Sequence, residues 1–261
     1  MKKNILLKNS FSDFICFKNK SSAFTLAEVL ITLGIIGIVA ALTIPNLMGK
    51  YRQHVVENRL KKFYSASNQA IQLSEVKNGP KEYWPFCIGG ATNYEQWYDI
   101  YLKNFLNTTH VEHFINAGGS NTVSYFEDGS VMVIKDCYDI YFYPYAKDFD
   151  KDKFMKVSED GVAHRPDCGK KFFAFSFRPA LNRDSSVLHI GKGIEPYRAL
   201  ICKTITNEDG SKERVCNNLT RDELINNSEY GCNETSPYKV YCTALIQDNG
   251  WKIPKDYPFK F

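Results

Sequence analysis

Residues 21–50 read SSAFTLAEVLITLGIIGIVAALTIPNLMGK. From Val29 to Met48 no residue is charged. At a helical rise of about 1.5 Å per residue, that run covers about 30 Å, the depth of a bilayer's hydrocarbon core. Yet a carboxylate, Glu28, stands at its head. An acidic side chain at the centre of a membrane helix costs about 2.5–3.5 kcal/mol on insertion scales. No cation close by in sequence neutralises it. The stretch is a membrane helix that carries a costly acid.

The flanks give that helix a direction. The 261-residue chain has a formal charge of +4, but Lys2, Lys3, Lys8, Lys18 and Lys20 against Asp13 supply all of it before the apolar run. Residues 24–261 are therefore neutral, which implies no basic surface for nucleic acid. Lysines ahead of the span keep the N-terminus cytoplasmic by the positive-inside rule and place the remainder across the membrane. Seven of the eight cysteines, Cys87, Cys137, Cys168, Cys202, Cys216, Cys232 and Cys242, fall in that exported part, where disulfides persist; Cys16 alone precedes the span. An ordinary secretory signal is a poor match. Its apolar core runs about 7–15 residues to a small-x-small site, whereas this run passes through Pro45-Asn46-Leu47-Met48 into a helical pattern.

Residues 23–45, AFTLAEVLITLGIIGIVAALTIP, resemble the class III signal of type IV prepilins and type II secretion pseudopilins. In that family a basic leader ends in a small residue, Phe follows, and Glu is fifth after the cut. About twenty apolar residues come next, often with a kinking proline. Here Ala23, Phe24, Glu28, the run to Met48 and Pro45 hold the same register. Ala23 departs from the usual Gly, which implies slower cleavage. The resemblance implies that a prepilin peptidase cuts Ala23–Phe24 and methylates the new Phe24 amine. It also gives Glu28 a partner, the N-terminal ammonium of a neighbouring subunit, since a buried carboxylate is tolerable when paired and costly when not. The plain alternative is a Glu28 that snorkels to the interface at the end of an inert anchor. Gly34 and Gly37 would let helices approach closely, or are simply glycines of a membrane helix.

Beyond Gly49 the chain turns polar without a break. Val56, Leu60, Phe63, Ser67, Ala70, Leu73 and Val76 recur at spacings near three and four, the pattern of an amphipathic helix, and Gly79-Pro80 stop it. Phe24 to Lys77 is expected as one helix whose second half packs on a head. In the head, TVSYFEDGSVMVIKDC reads as a hairpin about Asp128-Gly129, followed by the strand DIYFYPYA. Residues 168–179 place Phe173, Phe175 and Phe177 on one face of a half-buried strand. ALICKTITNEDGSKERVC reads as a second hairpin, and residues 92–106 as a helix capped by Thr92 or Asn93. The expected fold is α+β, the pilin-like lollipop. A leader of residues 1–23 is removed. A long hydrophobic N-terminal helix follows over 24–79, with a membrane or filament-core part at 24–48 and an amphipathic stalk at 50–77. A small antiparallel-sheet head with disulfide-bearing loops occupies 80–261.

An odd number of exported cysteines leaves one free or paired between chains. Proximity favours Cys202–Cys216 and Cys232–Cys242, with a third pair drawn from Cys87, Cys137 and Cys168. Asp148, Asp150, Asp152 and Glu159 have the spacing of a calcium loop, but Lys153 stands where such loops want glycine, so calcium competes with a solvated charged turn. His110 and His113 lack a third metal ligand and are read in a surface loop. No nucleophile elbow, P-loop or paired-carboxylate motif is present. The expected role is structural rather than enzymatic, with no cofactor. The chain is read as a minor pilin or pseudopilin of a type IV pilus or type II secretion filament. Its partners would be copies of itself or other pilins, the prepilin peptidase and inner-membrane lipid, with no nucleic acid. It would sit in the inner membrane by a single pass with a periplasmic head, then in an extracellular pilus or periplasmic pseudopilus. The rival reading is a single-pass, membrane-tethered periplasmic enzyme or solute-binding domain.

Overall fold

The computed structural model describes residues 24–85, 87, 94–116, 119–155, 165–179 and 192–261. The chain divides into two compact units, one ending at Asn46 and the other running from Leu47 to Phe261. The helix α1, Leu26–Asn78, contributes to both. Its first half is apolar all round and unburied, as a segment solvated by lipid or by other helices should be. Its end follows from backbone chemistry. Gly79 adopts φ +80°, a left-handed conformation that costs glycine least, and its N–H donates to the Glu75 carbonyl at 3.0 Å.

In the Leu47–Phe261 unit α1 buries Val56, Glu57, Leu60, Phe63, Ser67, Ala70, Ile71 and Ser74. The expected stripe is right as far as Ala70 and wrong beyond it, because Leu73 is 51% exposed and Val76 89% exposed. Successive steps of three residues each fall about 60° short of a full turn. A 67–70–73–76 series therefore rotates off the buried line, while Ile71 and Ser74 stay on it.

That line packs on a six-stranded antiparallel meander: β1 Thr108–Asn116, β2 Gly119–Phe126, β3 Val131–Lys135, β4 Asp139–Tyr143, β5 Phe173–Phe177 and β6 Ile194–Pro196. Tight turns set the register. Gly129 takes φ +75° between β2 and β3, and Asp136 and Cys137 take φ 49° and 62° between β3 and β4. Register then sorts the faces. Met132 faces Phe142 and Ile140 faces Phe175, and these join Phe63, Leu60 and Ile71 in one core. Phe63 stacks on Phe142 at 4.3 Å between ring centroids and meets Phe175 edge-on at 5.1 Å.

The opposite face of the sheet is buried too. Val123, Val131, Val133, Tyr141, Tyr143 and Ala174 pack with Phe154, Cys168, Phe172, Leu219, Leu224, Val240, Tyr241 and Ala244. Hence β5 is buried at all five positions, not half-buried. The cover comes from Phe154, Cys168 and Phe172, between β4 and β5, and from the C-terminal stretch, which includes α3 Arg221–Asn226 and α4 Cys242–Asp248. A second hairpin, β7 Leu200–Thr206 with β8 Lys212–Asn218, forms a separate two-stranded sheet. The expected 92–106 helix is realised as α2 Tyr94–Tyr98 running into one wide turn, Asp99–Lys103, and its suggested caps Thr92 and Asn93 lie outside the described residues. His110 and His113 belong to β1 and not to a loop; His113 Nδ1 lies 3.0 Å from the Thr122 hydroxyl on β2.

Candidate processing and assembly site

Ala23 lies outside the described residues, and Phe24 is 86% exposed just ahead of α1. The sequence TLAE then builds a capping box. The Thr25 N–H and hydroxyl donate to Glu28 Oε2 at 2.9 and 2.8 Å, and the Glu28 N–H donates back to Thr25 Oγ1 at 3.2 Å. Thr220 and Glu223 make the same reciprocal pair at the start of α3. The sequence T-x-x-E ahead of an apolar run is itself the signal for this cap, and reading Glu28 only as an unpaired acid missed it. Among the described residues Glu28 has no cation partner, and its carboxylate keeps unused acceptor capacity.

Further along, the helix manages its own polarity. The Thr32 and Thr43 hydroxyls donate to the carbonyls of Val29 and Val39, both at 2.9 Å, so neither presents an unsatisfied group to an apolar surround. At Gly34 and Gly37 an added methyl group would meet nothing within 4 Å, so packing among the described residues does not demand glycine there. Pro45 lies inside α1 and brings no N–H to the helical ladder. One helix among the described residues is long and apolar enough to cross a membrane, and it is this one.

The Leu47–Phe261 unit holds α1 by directional bonds as well as by its apolar stripe. Glu57 accepts from Lys252 Nζ at 2.8 Å and from the Ile253 N–H at 2.9 Å. Burial alone pushes its carboxyl up, but the bonds from Lys252, Ile253 and Gln53 outweigh that and hold it below the usual range. Arg59 donates to the carbonyls of Pro144 and Asp128, and Lys62 pairs with Asp128 at 3.0 Å. Asn68 completes the edge of the sheet: its Nδ2 donates to the Ile194 carbonyl at 2.8 Å and its Oδ1 accepts the Ile194 N–H at 2.9 Å. Apart from the Gln53 bond, each of these contacts joins positions more than sixty residues apart, so no sequence pattern points to them.

Among the described residues two disulfides join Cys87 to Cys137 and Cys232 to Cys242, and Cys168 is buried as a free thiol. Cys202 stands directly opposite Cys216 in the β7–β8 register. In the acidic loop, Asp150 pairs with Lys153 at 2.7 Å and accepts the Asp152 N–H at 3.1 Å, while Asp148 closes a short helical turn. Glu159 lies outside the described residues, and no group of three metal-ligating side chains occurs among the described ones.

Helix and head together define the class: an α+β protein with a pilin-type N-terminal segment. Residues 18–44 match the prokaryotic N-terminal methylation motif, the signature of type IV pilin-like and pseudopilin-like segments. The chain belongs to a family of unknown function, DUF6613, whose model matches residues 46–261. No curated protein and no solved structure matches it.

Proposed function

We propose that this chain is a structural subunit of a pilin-type filament, a minor pilin or pseudopilin of a type IV pilus or type II secretion system. It is cut between Ala23 and Phe24 by a prepilin peptidase and methylated at Phe24. It waits in the inner membrane with its N-terminus cytoplasmic and its head periplasmic. It then assembles with copies of itself or related subunits through residues 24–48. One observation carries the reading. An apolar helix left unburied among the described residues begins with a carboxylate bonded there to Thr25 alone, in register with a matched methylation motif. Such a helix needs lipid before assembly and other helices after it, and pairing Glu28 with a neighbour's ammonium would fix their register.

The test is intact mass and N-terminal sequencing of the membrane-purified protein, with and without active prepilin peptidase. A chain beginning at methylated Phe24 only when the peptidase is active supports the proposal. A chain that retains Met1–Ala23 beside an active peptidase refutes it and returns the rival reading, a tethered binding domain.

A further inference from the structure

On the sheet face away from α1, a cleft of about 290 Å³ is lined by residues that include Asp139 and Tyr141 of β4, Arg165, Arg178, Tyr230 and Tyr238. Its chemistry is unusual for a structural core. Arg178 pairs with Asp139 at 3.2 Å and lies 3.8 Å from the Tyr138 ring centroid. Arg165 is placed differently. Its guanidinium carbon lies 5.1 Å from the ring centroid of Tyr141 and 5.5 Å from that of Tyr238. Its Nε is buried with no hydrogen-bond partner among the described residues, as is the Nε of Arg178.

A guanidinium held against two tyrosine rings is restricted in orientation, and its donors lie in its own plane. An in-plane fork of N–H groups matches a carboxylate bidentately. A buried donor without a partner costs about 1–3 kcal/mol, and both arginines that line the cleft carry one. The rest of the cleft indicates what the acceptor is attached to. Tyr230 and Tyr238 stack at 5.5 Å with their planes 20° apart, an aromatic pair that borders the cleft. Asp139 and the tyrosine hydroxyls are hydrogen-bonding groups suited to hydroxyls. The volume is near the low end for ligand pockets, room for about one small ring.

We propose that this cleft binds a carboxylate-bearing sugar ring, its carboxylate on Arg165, its ring beside Tyr230 and Tyr238 and its hydroxyls towards Asp139. The site is independent of filament assembly and goes beyond the structural role proposed above.

The experiment is isothermal titration of the full chain in detergent with sodium D-galacturonate, D-galactose and inorganic phosphate in turn. Saturable heat with galacturonate and none with galactose is expected. Arg165→Lys keeps the charge but loses the fork, and should weaken galacturonate binding about tenfold or more with an unchanged near-ultraviolet spectrum. Should that variant misfold, the selectivity of the wild-type chain decides alone. Equal binding of galactose, binding of phosphate but not galacturonate, an unaltered affinity in a folded Arg165→Lys variant, or no heat from any probe up to about 10 mM would each overturn the proposal.

Discussion

Glu28 satisfies two chemistries with one side chain. In the isolated chain it caps its own helix through Thr25, which removes two of the orphan donors at a helix start. In a filament it would also meet a neighbour's ammonium, and a carboxylate has lone pairs enough for both. Glu28→Gln keeps an acceptor for the Thr25 N–H but removes the charge. We therefore expect normal amounts in the membrane and about tenfold or greater loss from sheared filaments, read by immunoblot of the two fractions. Wild-type recovery in filaments would sink the charge-pairing account. Glu57 offers a second test at this scale. Its folded carboxyl is held below the usual range, so its contribution is complete above the unfolded value and is lost as pH falls through the folded one. Asp128 behaves alike: burial pushes it up, but bonds from Ser130 and Lys62 more than offset this. Head stability should thus decline below about pH 4, with a shallower decline in Glu57→Gln, measured by thermal melts across pH. Glu57→Leu, which orphans the buried Ile253 N–H, should cost about 1–3 kcal/mol at neutral pH.

At the scale of elements, α1 separates what periodicity reveals from what it conceals. Val56, Leu60, Phe63 and Ser67 alternate spacings of four and three, so their face was legible without coordinates. Leu73 and Val76 are as apolar as the rest, and only the angular drift of repeated threes shows that they leave the seam. The sharp test compares truncations: Leu60→Ala should cost about 2–5 kcal/mol in urea unfolding, whereas Val76→Ala should stay within about 0.5 kcal/mol. Equal costs would restore the longer stripe. Hairpins with an Asp-Gly turn, at 128–129 and 209–210, were legible because left-handed glycine is a local demand. The strand β1 was not, since THVEHFIN mixes histidines and a carboxylate into an edge whose outer residues stay partly exposed. At the candidate site, Glu28, Gly34, Gly37 and Pro45 are placed by the resemblance alone, while the Thr25 cap was written in T-x-x-E and overlooked. Arg165 and its tyrosines come from separate segments of the chain, and no linear pattern could assemble them.

For the molecule as a whole, the sheet is buried on both faces, so the head does not rest on a single helix–sheet layer, and its disulfides act as staples on an already sizeable core. Their contributions should follow loop length. On the chain-entropy account, closing a separation of 50 residues between Cys87 and Cys137 contributes about 4 kcal/mol, and closing 10 between Cys232 and Cys242 about 3 kcal/mol. Paired Cys→Ser variants should therefore lose stability in that order, with Trp84, Trp97 and Trp251 all reporting from the head. Cys168 must stay out of this chemistry. It precedes Gly169, where an added methyl group would lie 2.5 Å from Cys242 Sγ, so the free thiol's neighbour packs directly on a disulfide. Disulfide exchange needs a thiolate as its nucleophile. Burial pushes the Cys168 thiol up to about 12, outweighing the pull of Arg165, and this keeps the nucleophile protonated. Since the free thiol is fully buried as well, iodoacetamide at about pH 8 should leave Cys168 unlabelled in the folded protein and label it completely in denaturant, as peptide mass mapping would record. Labelling at the same rate in both would mean that the sheet's second face opens readily, and that the C-terminal cover is not the stable layer its packing describes.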